Sequence, residues 1–311
     1  LNTAPEAIFF ITALNSNNPN FAMGAVSGST IVVSTVALGA CLYVGSHARK
    51  LKPFGLQPAV KKQCFILCGS SIIPIIIGMI GFSTLVGWIG VFAYISFLYY
   101  SISGGGSSPI DEKKEDDVDL EIGHIEEDDE EEESVLKGAL YLLAGGILIV
   151  IFSTPFISSV VEIATYWSLT PMLLAFFLAP VASEMPEILE SISLSRKGNM
   201  QNINIAFSNM VGGTITKTTL LCSILCFYGA SREFTWESPS YTISLFLLGL
   251  SACLAGSIGG LIPNLKAHHG TILFIAFGIC GILQYYYNAG VALSSFELME
   301  EATARLNAFG A

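Results

Sequence analysis

The sequence predicts an all-α polytopic membrane protein organised around an inverted internal repeat. Three observations predict it. The chain is 52% hydrophobic and only 13% charged, against about 25% charged in ordinary soluble domains. Apolar runs near the ~20 residues that a spanning helix needs follow one another along most of its length. A Pro-Glu helical hairpin occurs twice. This composition excludes an ordinary soluble enzyme, and no feature points to nucleic acid as a partner.

The apolar runs fall near 1–14, 20–45, 64–82, 83–101, 135–165, 168–195, 202–229, 240–261 and 270–288. The first is incomplete, because the chain opens at Leu1 already inside a helix-like run, and preceding sequence is expected. The run from Val135 to Trp167 exceeds one perpendicular crossing and holds Pro155. It predicts a single long, tilted or kinked helix with Glu162 near one end.

Charge is concentrated between the spans. Fifteen of the 25 acidic residues lie between Asp111 and Glu133, leaving ten acids against twelve bases elsewhere. Residues 102–134 join a Gly/Ser linker to a like-charge block that cannot bury itself, so a disordered acidic loop is expected. An EF-hand reading of Asp117, Asp119 and Glu121 fails because the turn glycine, Gly123, comes one residue late.

With nine spans, the loops after 45, 101, 195 and 261 share one side. They carry Arg49, Lys50, Lys52, Lys61, Lys62, Lys113, Lys114, Lys137, Arg196, Lys197 and Lys266, against Arg232 and Arg305 on the other. The positive-inside rule makes the base-rich side, and with it the acidic loop, cytosolic.

The C-terminal stretch at 289–311 has Ser294 and Glu297 at capping-box spacing. Phe296, Met299, Ala302, Leu306 and Phe309 follow on one helical face, predicting a separate amphipathic helix on the membrane surface. All seven cysteines lie in or beside apolar runs and read as small core residues. The four histidines lack zinc-ligand spacing and receive no role.

The repeat emerges when "TAPEAIFFITALNSNNPNFAMGAVSGSTIVVST", from Thr3, is set beside "EMPEILESISLSRKGNMQNINIAFSNMVGGTITKTT", from Glu184. Each holds a Pro-Glu on one helix, a short polar turn, and small residues four apart on the next: Gly24 and Gly28, then Ser208 and Gly212. Small residues at that spacing let backbones approach closely. The turns at 15–19 and 196–201 fall on opposite sides, so the two copies run antiparallel through the membrane.

Inverted repeats interrupted by Pro or Gly point to a secondary transporter with its site near the bilayer midplane. Pro5 and Pro186 each remove a backbone hydrogen bond, leaving a carbonyl one turn earlier to face an ion. Position matching pairs Glu6 with Glu187, Thr3 with Glu184 and Asn2 with Ser183. Hard cations take six to eight oxygens from carboxylates, hydroxyls and carbonyls. Glu6, Glu187, Glu184, Thr3, Ser183, Ser29 and Thr214 supply that chemistry. Carboxylates within the membrane mark ion paths by default, whereas Glu190, nearer the turn, reads as a helix-end residue.

The two hairpins resemble the α-repeats of the sodium/calcium exchanger, or cation/calcium antiporter, superfamily, with plant and algal exchanger-like proteins as the nearest branch. "MGAVSGSTIVVSTVALGACLYVG" at 23–45, "GALYLLAGGILIVIFSTP" at 138–155 and "AFFLAPVASEMPEILES" at 175–191 carry the resemblance. It implies two inverted five-helix repeats, the first without its N-terminal helix here: 1–101 and 135–288, around the acidic loop. It also implies alternating access at a site built around Glu6 and Glu187, with Ca2+ exchanged for Na+, K+ or H+ and no organic cofactor, in a eukaryotic endomembrane or organelle membrane.

Two departures bear on that expectation. Where sodium-coupled members place an amide or carboxylate, this sequence has Val33 and Lys217. An ammonium there is expected to pair with Glu184 and Glu187 as a tethered cation, and the extra Glu184 would compensate it. The alternative expectation is a transport-silent protein of this fold serving as a structural or regulatory subunit of a larger membrane complex. A further one makes the acidic loop a calcium sensor.

Overall fold

The computed structural model describes residues 4–105, 131–236 and 239–309. Apart from one isolated bridge these residues form helices and short connections: α1 Ala4–Asn15, α2 Pro19–Val32, α3 Leu38–Ala48, α4 Pro58–Ser70, α5 Ile72–Ile80, α6 Thr84–Tyr100, α7 Glu131–Tyr166, α8 Pro171–Arg196, α9 Met200–Thr216, α10 Cys222–Ser231, α11 Ser240–Leu261 and α12 Ala267–Phe309. Among the described residues eight helical spans are long and apolar enough to cross a membrane, with Glu6–Asn15 a shorter apolar helix before them. These are the nine runs of the sequence. The Pro155 helix is single, as expected, and Glu162 is exposed near its end.

Three boundaries differ from the sequence reading. Residues 102–105 continue α6 as a π-turn, and 131–134 already belong to α7, so the acidic connection is shorter than expected. The acidic residues from 111 to 130, including the calcium-loop ligands tried on Asp117, Asp119 and Glu121, lie outside the described residues. The expected surface helix after 289 is not a separate element: α12 runs unbroken from Ala267 to Phe309, with no helix start at Ser294. No proline falls between Ala267 and Phe309, and Gly290 at the junction is carried within the helix rather than ending it.

The helix starts follow local chemistry. Pro19, Pro58 and Pro171 open their helices, where the missing N–H costs nothing. The Thr170 hydroxyl caps Leu173 N at 3.2 Å, and Asn199 caps Gln201 N at 3.0 Å. Each hairpin turn needs one left-handed residue, supplied by Asn17 (φ 58°) and Gly198 (φ 69°).

Loop contacts fix the sidedness of the bundle. Phe54 bridges Leu265, Arg49 Nη1 donates to the Gly198 carbonyl at 3.2 Å, and Gln57 N donates to Asn204 Oδ1 at 2.8 Å. The connections after α3, α8 and α11 therefore share one face. On the other face Arg232 Nη2 and Tyr228 OH both donate to Asn15 Oδ1 at 3.3 Å. The α1/α2 turn and the α8/α9 turn thus lie on opposite faces, and the repeats are inverted.

Glycine seams pull the repeats together. A Cβ on Gly24 would stand 2.2 Å from the Met172 carbonyl oxygen, and one on Gly28 2.2 Å from that of Phe176. Only hydrogen fits there, so α2 rides directly on the backbone of α8. Pro180 has no N–H to give the Phe176 carbonyl, which is left facing Gly28. Gly39 on α3 meets Gly270 on α12; at the related position of the second repeat Ser223 on α10 meets Gly90 on α6. Gly39 and Ser223 keep the offset of 184 residues that separates Gly28 and Gly212, whereas their partners Gly90 and Gly270 stand 180 residues apart.

Five cysteines are buried in these interfaces and two are partly buried; all are free thiols. The surface of α6 and α7 is studded with exposed Leu, Ile, Phe and Trp side chains, as a lipid-facing surface requires.

Candidate cation site

In each repeat the second hairpin helix carries a π-helical turn. These turns span Val33–Ala37 and Lys217–Leu221, and they begin at related positions, five residues beyond Gly28 and Gly212. A switch from i→i−4 to i→i−5 bonding and back leaves a carbonyl in the turn without a helical partner, and such turns recur at functional sites. Each turn is tied to the other repeat by its second residue. Ser34 Oγ donates to Ser251 Oγ on α11 at 3.2 Å, and Thr218 Oγ1 to Ser70 Oγ on α4 at 3.0 Å.

Lys217, the first residue of the second π-turn, is 2% exposed and reaches two carboxylates. Its Nζ stands 2.6 Å from Glu184 Oε1 on α8 and 3.0 Å from Glu6 Oε2 on α1. Glu184 is 1% exposed and Glu6 8%. One ammonium therefore bridges acids from both repeats, and this buried cluster of two acids and one base carries a formal charge of −1. Burying charges is tolerable only where they are paired and hydrogen-bonded. Ser183 Oγ adds to the cluster, lying 3.3 Å from Glu184 Oε1 and 3.5 Å from Glu6 Oε1 while donating to the Ala179 carbonyl at 3.0 Å.

Beside Glu6 lies a cavity of about 20 Å3, polar at Glu6, Ser29 and Ser183 and walled by Phe9, Phe10, Val26 and Leu221. It has room for one water or one bare cation. Ser29 Oγ donates weakly to the Val26 carbonyl at 3.4 Å, so its lone pairs stay available to that space.

The remaining sequence-predicted residues are placed as follows. Glu187 is half-buried on α8 and makes no hydrogen bond or ion pair among the described residues, while Glu190 is exposed. Lys217 was expected between Glu184 and Glu187; it sits between Glu184 and Glu6. The cause is helical phase: Glu184 faces inward, and residues three apart on α8 are 60° out of register. Thr214 is fully buried with its hydroxyl donated to the Met210 carbonyl at 2.8 Å, and it does not line the cavity. Thr3 lies outside the described residues. The π-turns and the hydroxyl ties were missed. Their only trace in the sequence is the pair of matched segments Val33-Ser34-Thr35 and Lys217-Thr218-Thr219.

Residues 1–103 and 137–286 match the family described as sodium/calcium exchanger protein. The chain belongs to the sodium/calcium exchanger family. It is 23% identical over 159 residues to the sodium/calcium exchanger NCL of Arabidopsis thaliana. That match takes in 49% of this chain and 26% of the relative, so the chain spans about a quarter of the curated relative's length. Among solved structures, the crystal structure of the H+/Ca2+ exchanger CAX superposes with a TM-score of 0.70 at 16% identity, covering 97% of this chain and 80% of that one. Native YfkE gives 0.67 at 14% identity over 92% and 81%. The sodium-calcium exchanger NCX_Mj, soaked with 10 mM Na+ and no Ca2+, gives 0.58 at 17% over 89% and 82%. At such identities the superpositions establish the exchanger fold. Within that fold, the matched hairpins place Glu6 and Glu184 in opposite repeats.

Proposed function

We propose that this exchanger-family chain is a calcium/cation antiporter, moving Ca2+ one way and Na+, K+ or H+ the other through alternating access at the midplane. One observation carries the reading: Glu6 and Glu184, from oppositely oriented repeats, meet at a single buried point beside a cation-sized cavity. Glu187, half-buried on the same helix as Glu184, makes no hydrogen bond or ion pair among the described residues.

Counting Glu6, Glu184 and Glu187 against Lys217 leaves two negative charges, which is what one divalent cation neutralises. The donor set is hard, as calcium prefers: carboxylates of Glu6, Glu184 and Glu187, hydroxyls of Ser29 and Ser183, and a carbonyl freed by Pro186. Thr3 joins this set through its place in the repeat. Thr214, committed to its own helix, contributes packing. The base-rich face bearing Arg49, Lys61, Arg196 and Lys266 is the cytosolic one on this reading, in a eukaryotic endomembrane or organelle membrane.

The test is calcium flux in proteoliposomes against imposed Na+, K+ and H+ gradients. Exchange is expected with at least one of them, and both Glu6→Gln and Glu187→Gln should abolish it. Unchanged flux in the two variants would remove this site.

The position of Lys217 also favours a second reading: its ammonium satisfies both buried carboxylates without any ion, as in a transport-silent subunit of a larger membrane assembly. Saturable calcium binding by the purified protein excludes that reading. Its absence, with the chain recovered in a stable complex, supports it.

A further inference from the structure

We infer that Lys217 acts as a resident counter-cation that lets the empty protein change its open side, so that calcium passes without a soluble cation going the other way. The inference rests on the antiporter reading and adds a transport mode to it.

The physics concerns the empty state. A carrier with no ion bound must close its site to water on both sides before reopening. Uncompensated carboxylates oppose that step, because dehydrating a charge without a partner is costly. This opposition is what makes exchange obligatory: only a cation-loaded site closes readily. In this protein part of that closing charge is built in, since Lys217 lowers the formal charge of the buried pair Glu6 and Glu184 from −2 to −1. The Lys217 ammonium lies 2.6 Å from Glu184 and 3.0 Å from Glu6, and all three side chains are almost fully withdrawn from solvent.

The contacts span the parts that must move together. Lys217 opens the second π-turn, Glu184 belongs to the same repeat, and Glu6 comes from the other. The ammonium thus draws the two repeats together as a shared ion would. Its counterpart in the first repeat is Val33, 1% exposed and uncharged. The protein therefore carries one tethered charge, with one added acid, Glu184, where the first repeat has Thr3. Incoming calcium must displace the ammonium from Glu6 while Glu184 keeps it, a two-position exchange on one flexible side chain.

Calcium efflux from loaded proteoliposomes tests this. The outside would contain a chelator and N-methyl-D-glucamine as the only other cation, with permeant thiocyanate collapsing the potential and a luminal dye reporting pH. Efflux without luminal acidification is expected at a rate within about tenfold of that with Na+, K+ or H+ supplied outside. In Glu184→Gln/Lys217→Gln the ratio of counter-ion-free flux to exchange flux should fall at least tenfold. The double variant Glu184→Thr/Lys217→Val, which copies the first repeat, should behave alike. Should either variant fold poorly, melting supplies the second reading: the unfolding temperature of a neutralised variant should depend on calcium more steeply than that of the parent. Parent flux seen only with an external counter-cation, or a ratio unchanged in both variants, overturns this inference and leaves the antiporter reading standing. No calcium flux under any condition removes the antiporter reading itself.

Discussion

Replacing Lys217 by Met keeps an unbranched apolar stem and deletes the ammonium, with its charge and its hydrogen bond to Glu184. The ammonium is 2% exposed and holds two carboxylates that are 1% and 8% exposed, so little solvent screens their loss. What remains is a buried pair of acids with the Ser183 hydroxyl hydrogen-bonded to both. Breaking a buried ion pair from one side costs about 3–5 kcal/mol. Glu184→Gln should cost less, since Lys217 keeps Glu6 and the cluster becomes neutral. In the double variant Glu184→Gln/Lys217→Met a single acid is left, and much of the loss returns as a coupling energy of about 1–3 kcal/mol. The assay is reversible unfolding in mixed micelles of rising SDS fraction, followed by tryptophan fluorescence in the presence of a chelator. Added calcium should recover part of the Lys217→Met loss, because a divalent ion bound to the folded state stabilises it in proportion to ln(1 + [L]/Kd). If Lys217→Met unfolds within about 0.5 kcal/mol of the parent, the range of an ordinary surface change, the electrostatic account of this site is wrong.

Gly28→Ala would place a methyl 2.2 Å from the Phe176 carbonyl, more than 1 Å inside contact. The helices α2 and α8 must part, at a cost of about 1–3 kcal/mol, and flux should drop even though no ion ligand is touched; parent-like unfolding and flux would refute it. Thr218→Val removes the bond to Ser70, whose hydroxyl still donates to the Leu67 carbonyl, so a loss of about 0.5–1.5 kcal/mol is expected by the same unfolding assay. Ser34→Ala should act similarly through Ser251. Cysteines introduced at Lys52 and Lys197 should react with an impermeant maleimide from one side of sealed vesicles, and one at Asn17 from the other. Labelling of all three from one side would contradict the inverted arrangement.

Much of this protein is legible in one dimension because the bilayer simplifies the code. A spanning helix must satisfy its backbone internally and be apolar throughout, so the nine runs could be read from composition, and Pro155 did not split its helix. The repeated Pro-Glu and small-residue motifs disclosed the inversion, since parity of spans alone sets the side of each turn. The same sequence identified Glu6, Glu184 and Lys217 as charges requiring an explanation.

Which charges meet was decided only in three dimensions. Position matching set Glu6 beside Glu187 as equals, but partners depend on the rotational phase of α8 against α1 and the second π-turn. That phase turns Glu184 inward and leaves Glu187 half-buried. Backbone irregularities were equally hidden: π-turns at Val33 and Lys217 follow no simple pattern, because their energetic gain lies in contacts with other helices, among them the hydroxyl ties to Ser251 and Ser70. Pro180 looked like one more helix interruption until the fold set its freed Phe176 carbonyl against Gly28. The sequence determined the spans, their inversion and the list of buried charges, because each is a local property of a helix in lipid. The tertiary structure chose the partner of each charge, because partnership is set by the relative rotation of helices that local chemistry leaves free.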